Sequence, residues 1–219
     1  MKFGPDFHAE HILADGTGIE LRHIRPEDAH ELRRGFEALS PESRFRRFLT
    51  PLQSLSDEML HYLTEVDGYN HVAIIAVTGS DDLKTERGIG ISRFVRLEQE
   101  PTVAEVAVTV LDGMQHRGLG RLLLETLAKA AKERGIEHFR AEVLTSNELV
   151  RHALQDAGAV VVADNGDCLT VDIPLNHTNS DDHIENEEQL HHKSALQRLL
   201  REAASSMVDL IRSHRLPML

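Results

Sequence analysis

Apolar residues recur along this chain with two different periods, and the change between them marks out its elements. His11-Ile12-Leu13 and Ile19-Glu20-Leu21-Arg22 flank Asp15-Gly16, which predicts two short strands joined by a hairpin turn. Pro26 opens a helix with Glu27 and Asp28 in its first turn, where the dipole favours them. Ala29, Leu32, Phe36 and Leu39 form its buried face. After Ser40-Pro41, Glu42 to Leu49 reads as a second, arginine-rich helix, and Ser56 caps a third that carries Met59, Leu60 and Leu63. The helical period then disappears. His71 to Thr78 is almost continuously apolar, as in a strand covered on both faces. Gly79-Ser80-Asp81-Asp82 breaks it, Gly88 to Leu97 and Thr102 to Leu111 follow as strands, and Asp112-Gly113 ends the second. From Leu119 to Arg134 the spacing is helical again, with Leu122, Leu123, Leu127, Ala130 and Ala131 on one face and Gly135 as the stop. Phe139 to Leu144 reads as a strand and Glu148 to Ala157 as a helix ended by Gly158. Val160-Val161-Val162 with Leu169 to Ile173 reads as a closing hairpin.

Strands and helices in this order predict one mixed α/β (α+β) domain over residues 1–175. After Pro174 the composition changes. Residues 176–193 are polar and acidic and read as a linker. Residues 194–214 place Leu196, Leu199, Leu200, Ala203, Met207, Leu210 and Ile211 at helical spacing, an extra amphipathic C-terminal helix. Its stripe fits packing back on its own domain, pairing with a second subunit in a homodimer, or recognition of a partner protein. The first two together are favoured.

Charge and composition narrow the partners. A formal net charge of −12 argues against nucleic acid as the main partner. No run reaches the roughly 18 apolar residues of a membrane helix, so no membrane association is expected. Met1 to Asp6 lacks the apolar stretch of a secretory leader, and the single cysteine, Cys168, suits a reducing compartment. A cytoplasmic location is the expectation.

Candidate chemistry concentrates in one stretch. Ala104-Glu105-Val106-Ala107-Val108-Thr109-Val110 reads as a strand that runs through Leu111 to Met114 into Gln115-His116-Arg117-Gly118-Leu119-Gly120-Arg121 and then a long helix. Such a strand, turn and helix aims backbone N–H groups and the helix dipole at one point, where an anion binds well. Gly118 and Gly120 let the main chain approach a diphosphate and take conformations closed to residues with Cβ, and Arg117 and Arg121 add positive charge. Neither a Gly-x-Gly-x-x-Gly nor a Gly-Lys-Ser/Thr ending is present, so dinucleotide and nucleoside triphosphate loops fit poorly.

Gln115-His116-Arg117-Gly118-Leu119-Gly120 resembles the Gln/Arg-x-x-Gly-x-Gly/Ala signature of the GNAT superfamily, in the strand–turn–helix setting that signature requires. The resemblance extends over roughly residues 12–173. It is nearest to the catalytic domain of bacterial protein lysine acetyltransferases through Leu21 to Ala29, Leu39 to Phe48 and Ala104 to Ala107. It implies a GNAT fold: a central mixed, mostly antiparallel sheet, splayed between two strands and flanked by helices. It further implies acetyl-CoA as acyl donor and an amine acceptor, with a protein lysine favoured over a small molecule. Backbone of Val108, Thr109 and Val110 would hold the pantetheine arm. The turn of Gln115, His116, Arg117, Gly118, Leu119, Gly120 and Arg121 would hold the pyrophosphate. Asn147 reads either as a helix N-cap or as a contact to the cofactor arm.

Strand alternation puts Val106, Val108 and Val110 on one face and Glu105, Ala107 and Thr109 on the other. A carboxylate on a central strand needs solvent or a purpose. An amine of pKa about 10.4 is protonated at neutral pH and attacks a thioester only after losing that proton. Glu105 stands where the resembling acetyltransferases carry their general base; the plain alternative is an edge or ion-paired glutamate. Many superfamily members also have a tyrosine seven residues after the asparagine to protonate the departing thiolate. Here Leu154 occupies that position.

Other features invite simpler explanations. Arg44, Arg46 and Arg47 read as a solvated helix face, with phosphate or acidic-substrate contacts as the alternative. His183, His191 and His192 match no zinc spacing, so no metal is expected. Cys168 reads as a small apolar strand residue. A GNAT fold that binds acetyl-CoA without turnover is the remaining function of a different class.

Overall fold

The computed structural model describes residues 2–48, 51–79, 86–146, 151, 154 and 158–175, and eight strands within them form a single sheet. β1 (His8–Ile12) and β2 (Gly18–His23) make the expected hairpin, with Gly16 at φ 87° in the turn. Pro26–Asp28 forms a 3-10 turn, so α1 begins only at Ala29 and runs to Ala38. The reason is Asp28. It is buried, accepts from Arg25 N–H at 2.8 Å and grips the Arg22 guanidinium through two bonds of 2.8 Å, so it is not free to serve as a solvated dipole partner. Leu39, expected on that helix, is its extended C-cap and is buried all the same.

α2 (Pro41–Phe48) and α3 (Asp57–Thr64) follow, the latter capped by Ser56, whose Oγ accepts from Met59 N–H. Then come β3 (His71–Thr78), β4 (Arg87–Arg96), β5 (Val103–Val110), a 3-10 turn over Asp112–Met114, α4 (Leu119–Lys132), β6 (His138–Leu144), β7 (Val160–Asp164) and β8 (Cys168–Pro174). Strand order across the sheet is β1-β2-β3-β4-β5-β6-β8-β7. Every pairing is antiparallel except that of β5 with β6. A parallel neighbour needs a crossover, and α4 supplies it. The parallel ladder holds for three rungs, Val103 with His138, Ala104 with Phe139 and Glu105 with Arg140, and beyond Glu105 the strands are not paired.

α4 covers one face of the sheet. Leu119, Leu123, Leu127, Ala130 and Ala131 are buried against Ala104, Val106, Val108 and Phe94, in the cluster that also holds Leu154. Each fully buried leucine there contributes on the order of 2 kcal/mol. The close approach depends on Gly90, where a Cβ would meet Leu123 Cδ1 at 3.0 Å and Leu119 Cδ2 at 3.2 Å. On the opposite face α1 and α3 gather Phe36, Leu55, Leu60 and Leu63 into a second apolar cluster. Of the expected helix over residues 148–157, Arg151 and Leu154 are described, both in helical backbone. Asn147, the linker 176–193 with its histidines and the C-terminal helix 194–214 lie outside the described residues.

Candidate active site

The turn between β5 and α4 is built from its own main chain. Gln115 is extended, His116 takes φ 60° and Gly118 φ 84°, and α4 then starts at Leu119 with no side-chain cap on Gly118. The leading N–H groups of α4 therefore have no intrahelical acceptor and no capping side chain. Gly118 fits the glycine expectation, but Gly120 does not: it lies buried within α4 without a positive φ. The second left-handed position belongs to His116, a residue type that tolerates this region better than most.

Side chains of the turn brace it from behind. The Gln115 amide donates to Asp112 Oδ1 at 2.9 Å and to Val110 O at 3.3 Å. Arg117 pairs with Asp15 and donates to Gly113 O at 2.8 Å; Arg121 pairs with Glu125 at 2.7 Å. Asp112 also accepts from Ser40 N–H at 2.7 Å and Ser43 Oγ at 2.5 Å, which ties the start of α2 to the turn. Burial alone would raise its pKa, but these donors outweigh that and hold it below the usual carboxylate value.

β5 presents the two faces its alternation predicts. Val106, Val108 and Val110 pack in the α4 core, while Glu105, Ala107 and Thr109 face the side of α1, α2 and α3. Glu105 is 7% exposed, opposite Val95 of β4 and Arg140 of β6. Arg140 is held by Asp172 through two bonds of 2.7 Å and by Glu100. Leu154 is buried in the core, so no proton donor stands at that position.

Two arginines of the helix side depart from expectation. Arg44 lies over the Phe36 ring and donates to Leu39 O and Glu37 O; Arg47 lies over Phe48 and lines a cavity between the helices and β3, β4 and β5. Their guanidinium groups lie on rings instead of standing free in solvent. The side chain of Arg46 lies outside the described residues. Arg93, a buried charge in the interior of β4, lines the same cavity, donating to Leu63 O and His71 Nε2 at 3.0 Å each. Sequence reasoning passed over Arg93, His71 and Asp112. An arginine between Ser92 and Phe94 in the middle of a strand was the available signal for the first.

With this geometry established, the chain compares directly with known proteins. Residues 29–159 match the acetyltransferase (GNAT) family. The chain belongs to that family. It is 35% identical over 161 residues to acetyltransferase Pat of Mycolicibacterium smegmatis, covering 73% of this chain and 47% of that protein. It thus spans about half the length of this relative. The crystal structure of the GNAT domain of S. lividans PAT superposes with a TM-score of 0.67 and 31% identity, covering 76% of this chain and 96% of that domain. The fold is also shared with yncA from Salmonella typhimurium, solved with its cofactor acetyl-CoA, at a TM-score of 0.54 and 15% identity over 76% of this chain and 99% of that one. The GNAT family's acyl donor is acetyl-CoA, and its fold is the mixed, mostly antiparallel sheet with flanking helices described above.

Proposed function

We propose that this chain transfers the acetyl group of acetyl-CoA to a primary amine, a protein lysine in the first instance, with Glu105 as general base. The reading is carried by one observation. A nearly buried carboxylate ends the parallel ladder on β5, the same strand that leads into an uncapped helix N-terminus through two left-handed residues. The strand would run alongside the pantetheine arm with the backbone of Val108, Thr109 and Val110. Main-chain N–H groups from Gln115 to Arg121 would take the pyrophosphate, with the positive end of α4 behind them. Asn147 is assigned to the same cofactor arm.

The chemistry then follows in sequence. Glu105 takes a proton from the ammonium, directly or through a water, and the freed nitrogen lone pair forms a bond to the thioester carbonyl carbon. The carbonyl π electrons move to oxygen, and a backbone N–H near Val108 stabilises the charge. Collapse breaks the C–S bond and CoA leaves as its thiolate, while the nitrogen, now positively charged, gives up its second proton to that thiolate or to water, so that no tyrosine need protonate the leaving group. The proton-transfer step contributes roughly 10²–10⁴-fold. The lysine preference is supported by the segments Leu21–Ala29 and Leu39–Phe48 that resemble bacterial protein lysine acetyltransferases, and by the similarity to Pat. Thiol release from acetyl-CoA, measured with lysine-bearing proteins and with polyamines, amino acids and aminoglycosides, tests this. Turnover with proteins above that with every small amine is expected. Turnover confined to a small amine would overturn the acceptor assignment.

A further inference from the structure

The cavity on the helix side of β4 and β5 holds two arginines against a single carboxylate among its described lining residues. Its volume is about 70 Å³ and its walls are largely apolar, with Leu32, Phe36, Leu63 and Ile91 among them. Arg47 and Arg93 both line it, joined by Thr109. Among the described lining residues the one carboxylate, Glu31, is already committed to Arg34 at 2.7 Å and to Gly88 N–H at 2.9 Å. Burial, and then the Arg47 charge, push Arg93 down to about 9, while burial brings Arg47 down to about 10, opposed by Tyr62. Among the described residues no carboxylate figures in the charges acting on either guanidinium. Two cations driven together in an apolar cavity are costly to the fold, and a buried anion entering between them would relieve that cost.

Register fixes where Arg93 stands. Arg93 is opposite Ala107, and Val95 is opposite Glu105, so Arg93 and Glu105 share a sheet face as diagonal neighbours, on the order of 7 Å apart at their Cβ atoms. A planar guanidinium fork matches a carboxylate through two parallel hydrogen bonds, and a carboxylate with its short stem suits the largely apolar walls. We propose that Arg47 and Arg93 form a carboxylate-binding subsite that selects a reactant bearing a carboxylate close to its reacting centre. The carboxylate can belong to the acceptor, as an acidic residue beside the lysine, or to a dicarboxylic acyl chain on CoA. The identity of that reactant rests on the acetyltransfer reading; the subsite itself does not.

The test has a binding arm and a turnover arm. In the binding arm, succinate alone is titrated while the Arg Nε–H NMR signals are followed. Saturable shifts at Arg47 and Arg93, lost in Arg47→Gln, are expected whether or not the chain turns over acetyl-CoA. In the turnover arm, lysine peptides with a neighbouring Asp or Asn are compared using acetyl-CoA, and acetyl-CoA is compared with succinyl-CoA on the Asn peptide. A preference of about tenfold or more for one carboxylate-bearing reactant, abolished in Arg47→Gln through KM and partly restored in Arg47→Lys, supports the subsite and names its source. Arg93→Lys, which keeps a buried cation where truncation could unfold the chain, is expected to give the same loss of preference. Absence of succinate shifts at both arginines would overturn the proposal, and so would equal use of acidic and neutral reactants by the wild type in both comparisons.

Discussion

Glu105 is paired with Arg140 in the last rung that joins β5 to β6, and the two strands part immediately beyond it. The carboxylate therefore stands at the mouth of the splay, on a strand fixed on its other side by seven consecutive pairings with β4 from Gly90–Val110 to Arg96–Ala104. A proposed base held on a paired strand is better aimed than one on a loop. Arg140 is held by Asp172 and Glu100.

Gly118 separates a binding defect from a folding defect. It sits at φ 84°, and an added Cβ would meet no protein atom within 4 Å. Gly118→Asp should therefore cost only about 1–2 kcal/mol of stability, from left-handed strain. Acetyl-CoA affinity should fall at least tenfold, because the new group projects into the space assigned to the pyrophosphate and carries like charge. Calorimetric titration, with thermal unfolding of the same sample, checks both numbers. Unchanged affinity would remove the pyrophosphate from this turn.

Asp112 couples the turn to α2. Asp112→Ala removes the acceptor of Ser40 N–H and one partner each of the Ser43 hydroxyl and the Gln115 amide, at a cost of about 1–3 kcal/mol. Hydrogen exchange should show faster opening at Ser40 to Arg44 while β3 and β4 keep their protection. Uniform loss across the sheet would mean that Asp112 matters to the whole fold and not to this junction.

His71 predicts a stability change in weak acid. Arginine can only donate, so the contact with Arg93 makes His71 Nε2 an acceptor and the ring neutral. Burial first, and the Arg93 charge second, lower its pKa from 6.5 to about 4, with Asp67 opposing. The folded pKa lies below the unfolded one, so the unfolded chain takes up this proton first as pH falls. The contribution is present in full above pH 6.5 and is lost as pH falls through about 4, up to about 3 kcal/mol. Urea unfolding of wild type and His71→Gln between pH 7.5 and 4.5 should show the stability gap narrowing toward acid. Parallel pH profiles would contradict it.

The elements and the site differ in how readily the chain displays them. Period and punctuation locate β3, α4 and the β7–β8 hairpin to within a few residues, because Gly79 and Gly135 close the first two patterns and Gly158 stands just ahead of the third. Alternation alone sorts Glu105 from Val106. Long-range polar partners carry no such local mark. Arg22 and Glu86 meet at 2.7 Å although 64 positions apart, and Arg93 finds His71 across β3 and β4 only once the register exists. Arginine on a short helix reads as solvated by composition, yet Arg44 and Arg47 lie on Phe36 and Phe48, since a guanidinium on a long stem covers an aromatic ring as readily as it reaches water. Backbone sign is equally hidden: nothing in the composition says that His116, and not Gly120, takes the second positive φ.

The central claim is that Glu105 removes the proton that keeps the acceptor amine from attacking. It is tested most directly by kcat/KM for thiol release in wild type and Glu105→Gln, with acetyl-CoA affinity measured on the same preparations. A fall of about 10²–10⁴-fold with unchanged affinity, recovered in part as pH rises toward the amine's own pKa, is the predicted result. Equal rates in the two proteins, or a loss that comes entirely from weaker acetyl-CoA binding, would contradict it.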